Sequence, residues 1–211
     1  MTSADDPGAS RPGPRRTEGS PVGPEQVRRA VLDAGASLFA TRGVDAVSLR
    51  DVADEADVHF TLIRRYVGTR DDLVDAVFDD LSAQLARAVA ENPLSGQGHG
   101  VDTVMGKWVR VVAALVIAGR PVSGRASFNP VLAMAETLMD GYGLDTLAAR
   151  LRAAQIVAQA LGWRIFEGYL VEAGELEEVP LETLREELVH AARRTGATPW
   201  PSPPDPLARG R

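Results

Sequence analysis

The chain has 211 residues, a formal net charge of −6, 45% hydrophobic residues and no cysteine. That length and apolar content suit one large or two small domains, and the missing cysteine excludes disulfides, thiolate zinc sites and a cysteine nucleophile. No apolar run reaches the roughly 18–20 residues that span a bilayer, and the polar N-terminus lacks a secretory core, so a soluble, cytoplasmic chain with no membrane partner is expected.

Residues 1–23 are rich in proline and glycine and are expected to form a disordered arm. Arg11, Arg15 and Arg16 lie in it. They either touch DNA backbone or simply solvate a tail. From Glu25 the pattern turns helical, with Val27, Val31, Ala34, Leu38 and Phe39 at three- and four-residue steps and Gly43 as a stop. Ser48 is placed to cap a short second helix, with Asp51 as its capping-box partner. Leu49, Val52, Ala53 and Ala56 make the apolar face of that helix. Asp57 sits in the turn, Val58 plugs the space between the two short helices, and Leu62, Ile63 and Tyr66 continue the inward stripe. Thr69 caps a fourth helix with Asp71 and Asp72 in its first turn, favourable at the positive helix end. It runs through Leu73, Val77, Leu81, Leu85 and Val89 to Asn92-Pro93.

Beyond the loop LSGQGHG, a helix is expected over Val101–Ala118 and an apolar segment over Val131–Met139. The longest helix is expected from Leu144 to Ala173, and a last amphipathic one from Leu181 to Arg194. The proline-rich segment after Gly196 reads as a disordered tail. With no strand pattern of useful length, the chain reads as all-α.

The second short helix, around His59–Tyr66, cannot be stable alone, so the fold must brace it while leaving its polar face free. A helix laid in the major groove of DNA has that requirement. The acidic balance argues against a nonspecific nucleic-acid coat, which needs a basic surface. Residues 25–73 hold seven arginines against nine carboxylates, a local −2, so only spatial sorting of charge can make a DNA face.

Helix, short helix, turn, short helix and capped helix, followed by a larger helical region, resembles the tetracycline-repressor (TetR) family of bacterial transcription regulators. The motifs that carry the likeness are AGASLFATRG (Ala34–Gly43), Ser48 with LRDVADEA, ADVH, LIRRYV and GTR. The likeness is sharpest over residues 26–73; beyond residue 100 it lies in architecture and in the run ALGWRIFEGYL. It implies a helix-turn-helix DNA-binding domain over 24–73, a connecting helix over 70–91, an effector-binding and dimerisation domain over 92–196, and a tail over 197–211.

Several positions depart from the family's habit. Asp57 replaces the usual turn glycine, and aspartate tolerates a left-handed conformation better than most residues. His59 stands where serine usually caps the recognition helix, a change expected to weaken the cap by about a kcal/mol. Phe60 takes a position facing DNA, Val67 replaces a usual phenylalanine, and Arg70 replaces a phosphate-binding lysine.

The resemblance makes Arg50, His59, Phe60, Thr61, Arg64, Arg65, Tyr66 and Arg70 the candidate DNA contacts. Arginine offers a fork matched to guanine O6/N7, worth about 1–3 kcal/mol of base discrimination, which singles out Arg64 and Arg65. Arg50 either contacts DNA or pairs with Asp54 at i,i+4. Tyr66 either contacts DNA or is half-buried core. Arg70 suits a phosphate at a helix start.

For the effector pocket the candidates are Met105, Trp108, Phe128, Met134, Gln159, Trp163 and Phe166. Met139 and Tyr169 are further apolar candidates, and Asn129, Gln155 and Arg164 further polar ones. Ordinary helical core is the competing reading for each apolar one. A dimer contact is expected through Leu151, Ala158, Leu161, Ile165, Leu184 and Leu188. The reading is a homodimeric regulator, a repressor, that binds a palindromic double-stranded operator and leaves it when a small-molecule effector binds. The alternative is a small-molecule binding protein of the same fold with weak DNA binding. The three histidines are His59, His99 and His190, with no ligand spacing and no nucleophile–base pattern, so neither an enzyme, a metal site nor a cofactor is expected.

Overall fold

The computed structural model describes residues 20–91, 99–122, 124 and 126–198. Among these are eight helices and no strand: α1 (Pro24–Arg42), α2 (Leu49–Glu55), α3 (Phe60–Tyr66), α4 (Arg70–Glu91), α5 (His99–Ile117), α6 (Pro130–Tyr142), α7 (Thr146–Ala173) and α8 (Leu181–Ala197). The long periodic segments are therefore helices, as their apolar spacing dictates. The arm before residue 20 and the tail after residue 198 lie outside the described residues.

Two apolar cores organise the chain. The first joins α1 through α5: Val31, Phe39, Val52, Ile63, Leu73, Val77, Leu81, Leu85, Val111 and Leu115 are all buried in it. Gly35 lets α1 and α4 approach closely, since a Cβ there would lie 2.9 Å from Val77 Cγ2. Arg29 adds a polar tie between the same helices, with its guanidinium 2.8 Å from Asp33 and 2.6 Å from Asp80. Hydrogen bonds to these two carboxylates raise its pKa still further above the usual arginine value.

The second core is smaller. Ala135 and Leu138 of α6 meet Ala149, Ala153 and Ile156 of α7, with Ala192 of α8 against them. Small side chains let these helices pack closely, and Gly196 of α8 does the same, because a Cβ there would lie 2.9 Å from Leu138 Cδ2. All four fully buried residues of the 28-residue α7 are in its first half: Ala148, Ala149, Ala153 and Ile156. Its second half leaves Ile165, Phe166, Tyr169 and Leu170 exposed.

Candidate nucleic-acid interface

The short second helix begins with the capping box read from the sequence. The Ser48 amide donates to Asp51 Oδ2 at 2.7 Å, and the Asp51 amide donates to Ser48 Oγ at 3.2 Å. The Ser48 hydroxyl and amide together hold the Asp51 carboxyl below the usual carboxylate range. A second box opens α4: the Thr69 amide and hydroxyl donate to Asp72 Oδ2 at 2.8 and 2.7 Å, lowering the Asp72 pKa in the same way. Gly68 makes the close approach possible. Its φ is +113°, and a Cβ would fall 2.5 Å from Asp72 Oδ2.

Between these boxes the turn is made by Asp57, with φ of +50°, the left-handed conformation expected for the glycine position. Asp57 also accepts a 2.6 Å hydrogen bond from the Ser20 hydroxyl, which sets the start of the described chain across the turn. His59 serves as the N-cap of α3: its Nδ1 accepts from the Thr61 amide at 3.4 Å and lies 2.8 Å from Thr61 Oγ1. Histidine thus fills the capping position, although the amide bond is long. At the other end Arg28 of α1 donates to the Tyr66 carbonyl at 3.2 Å, relieving one of the orphan acceptors of a seven-residue helix. The Arg28 brace, 38 residues from its partner, does not stand out as a capping signal in sequence.

Ile63, 0% exposed, anchors α3 in the first core, with Leu62, Tyr66 and Phe60 packed around it. The opposite side of α3 carries Thr61, Arg64 and Arg65, all exposed. Arg50 is exposed too and among the described residues forms no ion pair with Asp54. It shares with His59, Phe60 and Leu62 an open concavity of about 690 Å³. Tyr66 is half-buried, and the Arg65 guanidinium lies 5.5 Å from its ring centroid. Phe60 is half-buried against the core rather than fully presented.

Arg70 is engaged by the loop that precedes α2. Its Nε donates to the Val47 carbonyl at 3.0 Å, another nitrogen donates to the Val44 carbonyl, and Asp45 lies 3.8 Å away. These groups pin the α1–α2 loop to the start of α4. Next to it, Arg120 after α5 reaches Asp71 at 2.8 Å and Asp45 at 3.7 Å. Asp71 above all raises the Arg120 pKa beyond its ordinary value. The pairing ties α5 to the helix-turn-helix unit, a link between distant charges that no local pattern announces.

A family model described as bacterial regulatory proteins of the tetR family matches residues 31–77. The HTH-type transcriptional repressor Rv3405c of Mycobacterium tuberculosis is 35% identical over 167 residues, covering 78% of this chain and 86% of the relative. The chain belongs to the TetR family of transcriptional regulators. The HTH-type transcriptional regulator Mb3439c of Mycobacterium bovis matches with the same identity and coverage. Among solved structures, a transcriptional regulator of Rhodococcus sp. Rha1 aligns with a TM-score of 0.57 at 19% identity, over 85% of this chain and all of that one. The multidrug binding protein EbrR complexed with malachite green aligns with a TM-score of 0.52 at 22% identity, over 80% of this chain and 96% of that one. These two share the fold. In this TetR-family chain, the matched residues 31–77 take in α2, the turn and α3, the helix-turn-helix pair.

The expected pocket residues do not gather in one place: some pack on either core and others are exposed. Trp108 is 4% exposed, stacks on Phe78 at 6.2 Å, and donates from Nε1 to Ser82 Oγ at 2.9 Å. It is buried core with its polar edge satisfied. Met105 and Phe128 pack half-buried on the same core, while Met134 and Met139 pack on the smaller one. Trp163 is half-buried and donates to Glu167 at 2.9 Å, which in turn faces Arg185 of α8 at 3.7 Å. Gln155, Gln159, Phe166 and Tyr169 are exposed. Asn129 is the N-cap of α6: its Oδ1 accepts from the Val131 and Leu132 amides at 3.0 and 3.2 Å, and Pro130 fills the first helical position.

Of the expected dimer residues, Leu151, Ala158 and Ile165 are exposed along α7, and Leu184 and Leu188 are half-buried on α8. Leu161 packs instead against the first core. Among the described residues no helix is long and apolar enough to cross a membrane, and no three His, Cys, Asp or Glu side chains gather as metal ligands.

Proposed function

We propose that the protein is a homodimeric repressor that reads a palindromic operator through α3 and leaves it when a small-molecule effector binds. The observation that carries this reading is the division of α3 between Ile63, fully buried, and Thr61, Arg64 and Arg65, all exposed. A seven-residue helix held by one buried side, two end braces and a left-handed turn presents its polar face to solvent. Arg64 and Arg65 then face guanine edges or phosphates, with Thr61, Arg50 and the half-buried rings of Phe60 and Tyr66 at the margin. His59 orients Thr61 from the helix start. Arg70 acts indirectly, by fixing the loop that positions α2.

Dimerisation is supported by the second half of α7, where Phe166, Tyr169 and Leu170 expose apolar surface that a monomer has no reason to carry. Paired with α8 of the same chain, this face fits a four-helix contact with a second copy. The two α3 helices then meet successive major grooves, about 34–36 Å apart. Repression is supported by the relative from Mycobacterium tuberculosis, which is named a repressor. The effector step is supported by analogy with EbrR, and it requires only that the ligand prefer the conformation whose groove spacing is wrong for DNA.

Footprinting on the DNA upstream of its own gene tests the arrangement. Two protected half-sites with centres about one DNA turn apart are expected, with the protein dimeric at micromolar concentration. A single protected half-site, or a monomer at that concentration, overturns the two-groove reading.

A further inference from the structure

A groove of about 490 Å³ runs between α1 with its following loop and α5, with Ile165 of α7 also on it, and none of the candidate pocket residues lines it. On one side, Arg110, Ala113, Ala114 and Ile117 form a stripe at helical spacing along α5. The other side is the last turn of α1, with Arg42, and the loop through Asp45; Ile165 of α7 closes one end. Alanine in the middle of the stripe leaves the space, and its volume falls within the range of about 300–1,000 Å³ typical of small-molecule sites.

Two features fix the chemistry that fits. The walls are apolar and wet: Ile117 is 86% exposed and Ile165 44% exposed. The rim is cationic. Arg110 has no ion-pair partner among the described residues, and Arg42 has a carboxylate only at 4.0 Å, from an Asp51 already engaged by the capping box. Asp45, the acid on the rim, faces Arg70 and Arg120 at 3.8 and 3.7 Å. Spare guanidinium donors beside exposed isoleucine fit a molecule with an apolar body and one anionic end.

We propose that this groove is a binding site for a small amphipathic carboxylate, with the acid on Arg110 and Arg42 and the apolar body over Ala113, Ile117 and Ile165. This names an effector class, and so rests on the ligand-responsive half of the reading above but not on its DNA-reading half. A bound molecule touches α1 and its loop on one side and α5 and α7 on the other. It therefore sets the helix-turn-helix unit against the remaining helices at the point where Arg120 and Asp45 join them.

Calorimetric titration of the full chain with decanoate, decanol and decylamine tests the site. Decanoate is expected to bind saturably, one per chain. Decanol and decylamine should be weaker by about tenfold or more, the worth of a charge-assisted bond. Arg110→Ala, on an exposed side chain, should erase the preference for the acid, and Ala113→Trp should abolish binding by filling the groove. Equal binding of the three probes, no saturable binding, or decanoate binding that survives both Arg110→Ala and Ala113→Trp would overturn the proposal. So would loss of the dimer on Ile117→Glu with no decanoate uptake by the parent, because the face would then be a subunit contact. Decanoate mapped to the groove with no change in affinity for the upstream DNA would support the site while overturning the ligand-responsive reading.

Discussion

Gly68 is the residue whose backbone and neighbours leave least freedom. Its positive φ strains any L side chain, and a Cβ would strike the Asp72 carboxylate that caps α4. Gly68→Ala is expected to destabilise the protein by about 1–3 kcal/mol, combining backbone strain with a damaged cap. Chemical denaturation of the parent and variant measures it, and an unchanged midpoint would contradict the capping geometry. The two capping carboxylates also set an acid limit. Asp51 and Asp72 both titrate below the ordinary aspartate range in the folded chain. A carboxyl with a depressed folded pKa contributes stability above its unfolded value, about 3.9, and loses it as pH falls through the lower folded value. Stability should thus decline below about pH 4, and the decline should be shallower in the Asp51→Asn/Asp72→Asn double variant. Thermal unfolding followed across that range distinguishes the two slopes.

At the scale of elements, the sequence makes helix starts legible where a capping side chain stands one residue before an apolar stripe, as at Ser48 and Thr69. The same chemistry at Asn129-Pro130 reads as a cap only once the helix behind it is seen. Asp145 is similar: its Oδ1 accepts from the Leu147 and Ala148 amides at 2.9 Å each and sets the start of α7 at Thr146, two residues beyond Leu144. Side-chain destination is harder to read than helix position. Trp108 and Phe166 look alike as aromatic residues in apolar helices, yet one is 4% and the other 54% exposed. The difference comes from packing across distant helices, since Trp108 meets Phe78 and Ser82 of α4. Arg70 and Arg120 show the same for charge: their partners lie at 23–26 and 49 residues' separation, beyond any local pattern.

At the scale of the whole molecule, the two cores give a helix-turn-helix half built into α4 and α5 and a helical pair, α6–α7, joined to α8. The exposed stripe on α7 is where a second copy is proposed to sit. Leu151→Glu places a charge on that stripe without touching either core, and should yield a folded chain that is monomeric where the parent is dimeric. Light scattering behind size exclusion reads the outcome. A dimer that survives Leu151→Glu unchanged would move the contact elsewhere on the molecule.

The reading of DNA by α3 is tested most directly by fluorescence anisotropy on the DNA upstream of the gene, at one fixed salt concentration. The parent and the Arg64→Ala/Arg65→Ala variant are each titrated, with a scrambled duplex of equal length alongside. The variant should lose about 2–4 kcal/mol of affinity for the upstream duplex and bind both duplexes nearly alike. Parent-like affinity and preference in the variant would contradict the assignment of α3 as the element that reads the operator.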